Sequence, residues 1–255
     1  RVIMDRALPF IQSATERKSP FFAAIWFHTP HSPVVGGPKY RKMYHDQPEH
    51  AQHYYACLTA MDKQIGRLRA KLKSLGITDN TMIFFCSDNG PARQGSPRHI
   101  GTAKNLKGYK LSLNEGGIRV PGLMIWPAKI KEPRTVTAPC FTSDYFPTIL
   151  AALKIPLPSN RAYDGVDILP FAIGKQIERK KPLGFLNKDG KEAAWIENRY
   201  KLISRKKGNE LYDLINDPGE KINLIEKAPK IAKRMEGQLL NWRTGVIAEL
   251  KLIPK

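Results

Sequence analysis

The sequence predicts an α/β protein, with a mostly parallel sheet flanked by helices and a smaller C-terminal antiparallel α+β subdomain. The first part is predicted by a long amphipathic helix at 49–76 that lies between two apolar runs, 20–29 and 78–90. A strand, a helix and a second strand form a βαβ unit with parallel strands and a right-handed crossover. The second part is predicted by short strand candidates after about residue 175, which turn residues separate.

The N-terminal part begins with a stretch at 1–14 that has the apolar periodicity of an amphipathic helix. The run PFFAAIWFHT at 20–29 is typical of a strand covered on both faces, and 78–90 predicts a turn and a second buried strand. Between them apolar side chains recur every three or four residues, and Gly76 is a natural end for this helix.

The connection at 91–120 is rich in Gly, Ser and Asn, and loops of this length are often functional. It leads into a strand at 120–126 and a helix at 142–155, for which Ser143 or Asp144 is the expected N-cap. The C-terminal part contains four strand candidates and a final amphipathic helix at about 228–248. The strand candidates are 182–187, 191–198, 200–205 and 209–214. We therefore predict two domains, 1–174 and 175–255.

Composition and charge limit the partners of the chain. No apolar run approaches the ~20 residues of a membrane-spanning helix, so we expect no membrane span. The 42 Lys and Arg residues against 23 Asp and Glu give a formal charge of +19, which favours anionic partners. Its short basic clusters lack interleaved aromatic residues, so we expect no nucleic-acid partner.

Polar side chains follow the ends of the first two predicted strands: His28 and His31 after the first, Asp88 and Asn89 after the second. Ligands of open α/β sheets bind beyond the carboxyl ends of the strands, so we expect these four side chains to share one edge. The oxygens of Asp88 and Asn89 suit Ca²⁺ or Mg²⁺. The alternative is an ordinary Asn-Gly turn without a metal.

Other side chains of this region have the chemistry to bind an anionic ester. An imidazole can hydrogen-bond an anionic oxygen or protonate a leaving group, although a histidine packed on a proline is the alternative. Lys107, Lys110 and Arg119 surround Gly116-Gly117, where we expect an unusual backbone conformation. A lysine can hold a tetrahedral oxyanion, or it can simply be solvated, and Arg119 can pair with Glu115.

The order of these motifs resembles the sulfatases, formylglycine-dependent enzymes of the alkaline-phosphatase superfamily. The motifs are FHTPHSP (27–33), SDNGP (87–91), EGGIRVP (115–121) and LYDLINDPGEKINL (211–224), and the likeness extends from about 18 to 243. The resemblance implies an alkaline-phosphatase-like fold in which 1–174 belongs to the catalytic domain.

The resemblance also implies roles for single residues. Asp88 and Asn89 match a pair of metal ligands, usually for Ca²⁺, with Mg²⁺ as the other candidate. His31 matches the histidine that contacts the sulfate ester and its leaving oxygen, and Lys110 matches the lysine that binds the sulfate oxygens. His28 is a further expected residue of the substrate pocket.

Two features of the family are missing from this sequence. One is an initial strand with paired acidic metal ligands, and the other is the Cys/Ser-x-Pro/Ala-x-Arg motif whose first residue becomes formylglycine. The residues that follow Cys57, Cys86 and Cys140 do not fit that motif. We therefore expect the chain to be the C-terminal portion of a sulfatase, inactive by itself, with formylglycine in an upstream segment.

The resemblance implies a sulfuric ester hydrolase that cleaves sulfate monoesters on a small molecule or a polysaccharide, in a secreted or periplasmic location. One alternative is a phosphodiesterase or phosphonate hydrolase of the same superfamily. Another is a non-catalytic module that binds polyanions through its basic surface. The sequence leaves the oligomeric state open.

Overall fold

The computed structural model describes residues 1–92 and 100–250, so part of the predicted 91–120 connection lies outside the described residues. The chain divides into two compact units. The first consists mainly of Arg1–Ile83 with Ile125–Ala128, and the second mainly of 84–92, Gly101–Met124 and 129–250. The domain boundary at 174/175 stays a prediction.

The first unit is built from helices. They are α1 (Val2–Glu16), α2 (Pro38–Arg41) and α3 (Glu49–Ser74), with a 3₁₀ turn at Lys42–Tyr44. α1 and α3 pack together, and Arg67 of α3 donates a 2.7 Å hydrogen bond to Asp5 of α1. α3 ends as predicted, because Gly76 adopts a left-handed conformation with φ +68° that favours glycine.

The strand predicted at 20–29 is absent, and the expected βαβ unit is therefore not formed. Residues 19–28 have no regular secondary structure, and Phe22 and Trp26 expose 73% and 84% of their surface. An apolar run becomes a strand only where a neighbouring strand completes its hydrogen bonds, and none of the described residues pairs with this run. The apolar pattern alone could not reveal whether a partner strand lies beside this run.

A two-stranded sheet is formed by β1 (Ile83–Cys86) and β2 (Gly122–Ile125), close to the predicted strands, and most of its residues belong to the second unit. Phe84 anchors β1, because its ring stacks on Tyr145 with a centroid distance of 4.3 Å. It also packs against a buried cluster of Ala138, Ile168 and Phe171. The helices of this region are α4 (Glu115–Ile118), α5 (Tyr145–Ala152) and α6 (Leu169–Ala172), and a 3₁₀ turn, Thr142–Asp144, precedes α5.

A buried ion pair stabilises the start of α5. Both carboxylate oxygens of Asp144 accept hydrogen bonds of 2.9 Å from the guanidinium of Arg179. The same carboxylate accepts the backbone N–H groups of Phe141 and Val166. Asp144 does occupy the predicted N-cap position, but its carboxylate binds these groups and not the helix end.

The predicted C-terminal meander is confirmed. Four antiparallel strands follow one another in the order β3-β4-β5-β6, and α7 packs against this sheet. They are β3 (Leu183–Leu186), β4 (Ala193–Ile196), β5 (Tyr200–Arg205), β6 (Gly208–Asp213) and α7 (Pro229–Leu250). Within the described ranges, no helix combines the length and the apolar character needed to cross a membrane.

Both faces of this sheet are covered, because successive side chains of a strand point to opposite faces. On one face Leu202 and Leu211 pack with Met235 and Leu239 of α7. On the other face buried side chains of β4, β5 and β6 pack against Leu113, which precedes α4. The sheet therefore connects α7 to the segment that carries the Gly116-Gly117 pair.

We expect truncation of a core residue of α7 to destabilise the second unit. Met235→Ala removes a side chain with 0% exposure and should lower the free energy of unfolding by about 2–5 kcal/mol, because it leaves a cavity. Leu240→Ala, on the same helix but 62% exposed, is the control and should change it by less than about 0.5 kcal/mol. Equal urea midpoints for the two variants would contradict the packing.

Candidate active site

The two predicted site histidines lie in the first unit, in the turn that follows residue 27. Both are exposed, their ring centroids are 5.4 Å apart, and both rings approach one carbonyl oxygen, that of Ser32. The Nδ1 of His31 lies 2.9 Å from this oxygen and the Nε2 of His28 lies 3.2 Å from it. A carbonyl oxygen only accepts hydrogen bonds, so Nδ1 of His31 carries a proton and Nε2 is the nitrogen left for a ligand.

The Asp88–Asn89 pair lies in the second unit, directly after β1. Asn89 uses its side-chain N–H to donate a 2.8 Å hydrogen bond to the carbonyl of Gly90, which leaves its amide oxygen for another partner. Asp88 is exposed, and no described residue forms a hydrogen bond or an ion pair with its carboxylate. The turn and the metal site are thus compatible, since the turn uses the amide nitrogen and a metal would use the oxygens.

The turn after β1 packs backbone against backbone on the segment 107–117. Gly90 donates a 2.9 Å hydrogen bond from its N–H to Gly117, and Lys110 donates one of 2.8 Å to the carbonyl of Pro91. A Cβ atom at Gly90 would lie 1.9 Å from the carbonyl oxygen of Gly116. The structure therefore brings the Lys110 backbone beside the Asp88–Asn89 turn.

The two glycines at 116 and 117 are required because a Cβ has no room there, and not because their backbone conformation is unusual. Both residues lie in α4, and neither has a positive φ. A Cβ at Gly116 would lie 2.4 Å from the carbonyl oxygen of Gly108, and one at Gly117 would lie 2.1 Å from that of Ser112. The expectation of a special conformation was wrong, and the close approach of two chain segments is the reason for both glycines.

The three basic residues of this region have different surroundings. Lys107 donates a 3.0 Å hydrogen bond to the hydroxyl of Tyr212, and Arg119 pairs with Glu115 at 3.6 Å, as the sequence suggested. Lys110 is half-buried, and within the described residues its ammonium forms no hydrogen bond or ion pair. Of these three basic residues, Lys110 is thus the one whose charged group is available to an anionic ligand.

A buried charged network lies next to this segment, and the sequence reasoning did not find it. The ammonium of Lys201 lies 2.9 Å from a carboxylate oxygen of Glu115 and 3.0 Å from one of Glu220. The other oxygen of Glu220 accepts the backbone N–H of Glu115 at 2.7 Å. All three side chains are at least 95% buried. The sequence feature that could have indicated it is Lys201, which lies between Tyr200 and Leu202 in the predicted strand 200–205.

The motif 211–224 shapes the turn that presents Glu220. The Asp213 carboxylate accepts hydrogen bonds from the guanidinium of Arg199, at 3.0 and 2.7 Å, and from the side chain of Asn216, at 2.9 Å. The Arg199 hydrogen bond is the main reason that the pKa of Asp213 falls from 3.8 to about 2. Asp213 thus stabilises the start of this turn in its ionised form.

The donor set of the described chain is small for a metal ion. No group of three or more His, Cys, Asp or Glu residues with metal-binding geometry occurs among residues 1–92 and 100–250. The oxygens of Asp88 and Asn89 fit Ca²⁺ or Mg²⁺ as two of the six to eight ligands that Ca²⁺ takes. This chain can therefore supply a part of such a site.

Two family models match the sequence. The model described as sulfatase matches residues 1–155, and the model described as N-sulphoglucosamine sulphohydrolase, C-terminal, matches residues 109–245. Among curated relatives, the N-acetylgalactosamine-6-sulfatase of Mus musculus is 32% identical over 181 residues, which cover 69% of this chain and 33% of that protein. The N-acetylgalactosamine-6-O-sulfatase of Bacteroides thetaiotaomicron is 29% identical over 267 residues, which cover 95% of this chain and 50% of that protein.

Solved structures show the same likeness in three dimensions. Ps i-CgsB in complex with k-i-k-neocarrahexaose has a TM-score of 0.86 at 26% identity, over 95% of this chain and 54% of that one. A sulfatase from work on glycosaminoglycan metabolism by Bacteroides thetaiotaomicron has a TM-score of 0.82 at 27% identity, over 95% and 54%. This likeness confirms the predicted α/β fold class. The chain spans about a third to a half of the length of the curated relatives it matches.

The depressed pKa of Asp213 predicts a pH dependence of stability. A carboxyl with a lowered folded-state pKa contributes stability above its unfolded pKa, and this contribution is lost as pH falls toward the folded value. Asp213→Asn should therefore lower the free energy of unfolding by about 1–2 kcal/mol at pH 6, and the difference from the unsubstituted chain should shrink between pH 4 and about pH 2. A difference that stays constant over this range would contradict the assignment.

Proposed function

We propose, because the chain belongs to the sulfatase family, that it contributes sulfate- and metal-binding residues to an enzyme that hydrolyses sulfate monoesters. One observation carries the proposal: two backbone hydrogen bonds join the 87–91 turn to the segment of Lys110. This supports the proposal because Lys110, whose ammonium has no partner among the described residues, lies on a segment whose backbone contacts the turn of Asp88 and Asn89. Positive charge from a lysine and a cation is what a sulfate ester requires from its site.

The proposed metal ligands are Asp88 and Asn89, and the proposed ion is Ca²⁺, with Mg²⁺ as the other candidate. One carboxylate and one amide oxygen are hard donors suited to either ion. When bound, the ion would neutralise negative charge on the oxygens of the ester. The remaining ligands are not assigned to any described residue.

Lys110 and His31 have complementary proposed roles. The Lys110 ammonium would bind the sulfate oxygens, whose negative charge it stabilises. His31 would hydrogen-bond the leaving oxygen through Nε2 and, in its protonated form, give it a proton as the ester bond breaks. The Ser32 carbonyl supports this role because it holds Nδ1–H and orients the ring. His28, which shares that carbonyl, would line the pocket.

The nucleophile is assigned to no residue of this sequence. The segments after Cys57, Cys86 and Cys140 lack the Pro/Ala and Arg of the motif that yields formylglycine in the family. What the described residues offer is binding of the sulfate, binding of a cation and a proton for the leaving oxygen.

The proposed substrate is a sulfated saccharide. Both sulfatases compared above carry N-acetylgalactosamine in their names, and Ps i-CgsB was solved with k-i-k-neocarrahexaose. The formal charge of +19 is consistent with an anionic substrate. A secreted or periplasmic location, expected from the family resemblance, belongs to the same proposal.

Single substitutions test these roles. Lys110→Ala and His31→Ala should each lower kcat/KM for an aryl sulfate by ~10²-fold or more, since each removes a partner of the reacting ester. The assay uses the full-length protein.

The matched controls are Lys206→Ala and His45→Ala, two exposed residues to which we assign no role. Both should retain turnover within about twofold of the unsubstituted protein. Near-normal turnover by Lys110→Ala or His31→Ala would refute the role of that residue. Loss of activity in the controls as well would show that the effect lies in folding.

A further inference from the structure

We propose that Glu220 and Lys201 are positioning residues, whose buried network holds the Lys110 segment against the Asp88–Asn89 turn and thereby sets the affinity of the site for sulfate and cation. This inference rests on the proposed function, which assigns sulfate and cation binding to that site. The contacts that support the positioning role all lie within the second unit.

The position of Lys201 in the sheet is the first observation. On β5 it alternates with Leu202 and therefore faces the same side as Ile203, which packs in a buried apolar cluster with Leu113. An apolar side chain would fill this place without the cost of burying charge, and replacing buried ion pairs by apolar residues is often neutral or stabilising. The charged network is therefore poorly explained by stability alone.

The backbone of Glu220 is the second observation. Its φ is +52°, a left-handed conformation that costs free energy for a residue with a Cβ. The chain adopts this conformation at Glu220 and not at the preceding Gly219, where it would cost less. The turn is held by Asp217, whose carboxylate accepts the N–H groups of Lys221 and Ile222 at 2.7 and 2.8 Å. This strained residue directs a carboxylate into the interior, where it accepts the N–H of Glu115.

The carboxylate of Glu220 is held by a charge and not by a full set of hydrogen bonds. One oxygen lies 3.0 Å from the ammonium of Lys201, yet it accepts no well-directed hydrogen bond among the described residues. Two carboxylates share one ammonium, and Arg119 reaches Glu115 from the exposed side at 3.6 Å. This network of one ammonium and two carboxylates holds Glu115 firmly, because any displacement of Glu115 would leave a buried charge unpaired.

A short series of contacts leads from Glu115 to the proposed site. The next residue, Gly116, donates its N–H to Lys107 at 2.7 Å, and Gly117 accepts the N–H of Gly90 at 2.9 Å. A Cβ at Gly90 would lie 1.9 Å from the carbonyl oxygen of Gly116, so the backbone of Gly116 packs directly on the 87–91 turn. Glu220 therefore acts on the Asp88–Asn89 pair and on Lys110 through the backbone of α4.

The experiment uses Glu220→Gly, because glycine relieves the left-handed backbone while it removes the carboxylate. Amide exchange at Gly90 and Lys110 should accelerate about 10-fold, and the binding of Ca²⁺ and of inorganic sulfate, measured by calorimetry, should weaken about 10-fold. Glu220→Gln, which keeps an oxygen that can accept the N–H of Glu115, should recover a part of both effects.

The matched control is Glu197→Gln, since Glu197 forms a partly exposed ion pair with Arg234 in the same unit. It should leave exchange and binding unchanged. Unchanged exchange at Gly90 and Lys110 in folded Glu220→Gly, with only a lower free energy of unfolding, would overturn the positioning role. If the full-length protein without a substitution binds neither Ca²⁺ nor sulfate, the proposed function fails, while the exchange rates still decide the positioning role.

Discussion

The close packing of two backbones governs the candidate site. The turn after β1 and the segment before α4 approach so closely that a Cβ at Gly90 would lie 1.9 Å from the carbonyl oxygen of Gly116. The backbone hydrogen bonds between these segments hold the Asp88–Asn89 turn and the backbone of Lys110 together within the second unit. Rigid placement of charged groups before a substrate arrives is what makes electrostatic stabilisation effective in enzymes.

Local sequence patterns predicted most of the secondary structure. The helix at 49–76, the four short strands after 182 and the final helix were found because each has a clear period and clear end signals. The strand at 20–29 failed because pairing depends on a partner strand that an apolar run does not reveal. The residues of the site were placed by a family resemblance, and the structure adds the contacts that join Lys110 to the turn at Asp88.

Long-range charge pairs could not be predicted from the sequence. Asp144 and Arg179 are 35 residues apart, and Glu115 and Lys201 are 86 apart, so no local period connects them. The basic run ERKK at 178–181 has no sequence pattern that indicates burial, yet Arg179 is buried. Only the alternation of Lys201 with apolar neighbours in a predicted strand hinted at a buried charge. The sheet thus supports the site through interactions that become visible only in three dimensions.

A glycine substitution tests the central claim most directly. Gly90→Ala forces a Cβ against the carbonyl of Gly116, so it should weaken Ca²⁺ binding and lower the free energy of unfolding by a few kcal/mol. The control is Gly237→Ala, in the middle of α7, where a Cβ has open space. It should leave Ca²⁺ binding unchanged and raise the free energy of unfolding by about 0.5–1 kcal/mol. Calorimetric Ca²⁺ titration of both variants at one temperature is the measurement. Weaker binding in Gly90→Ala alone is the predicted result, and equal Ca²⁺ affinity in the two variants would contradict the account.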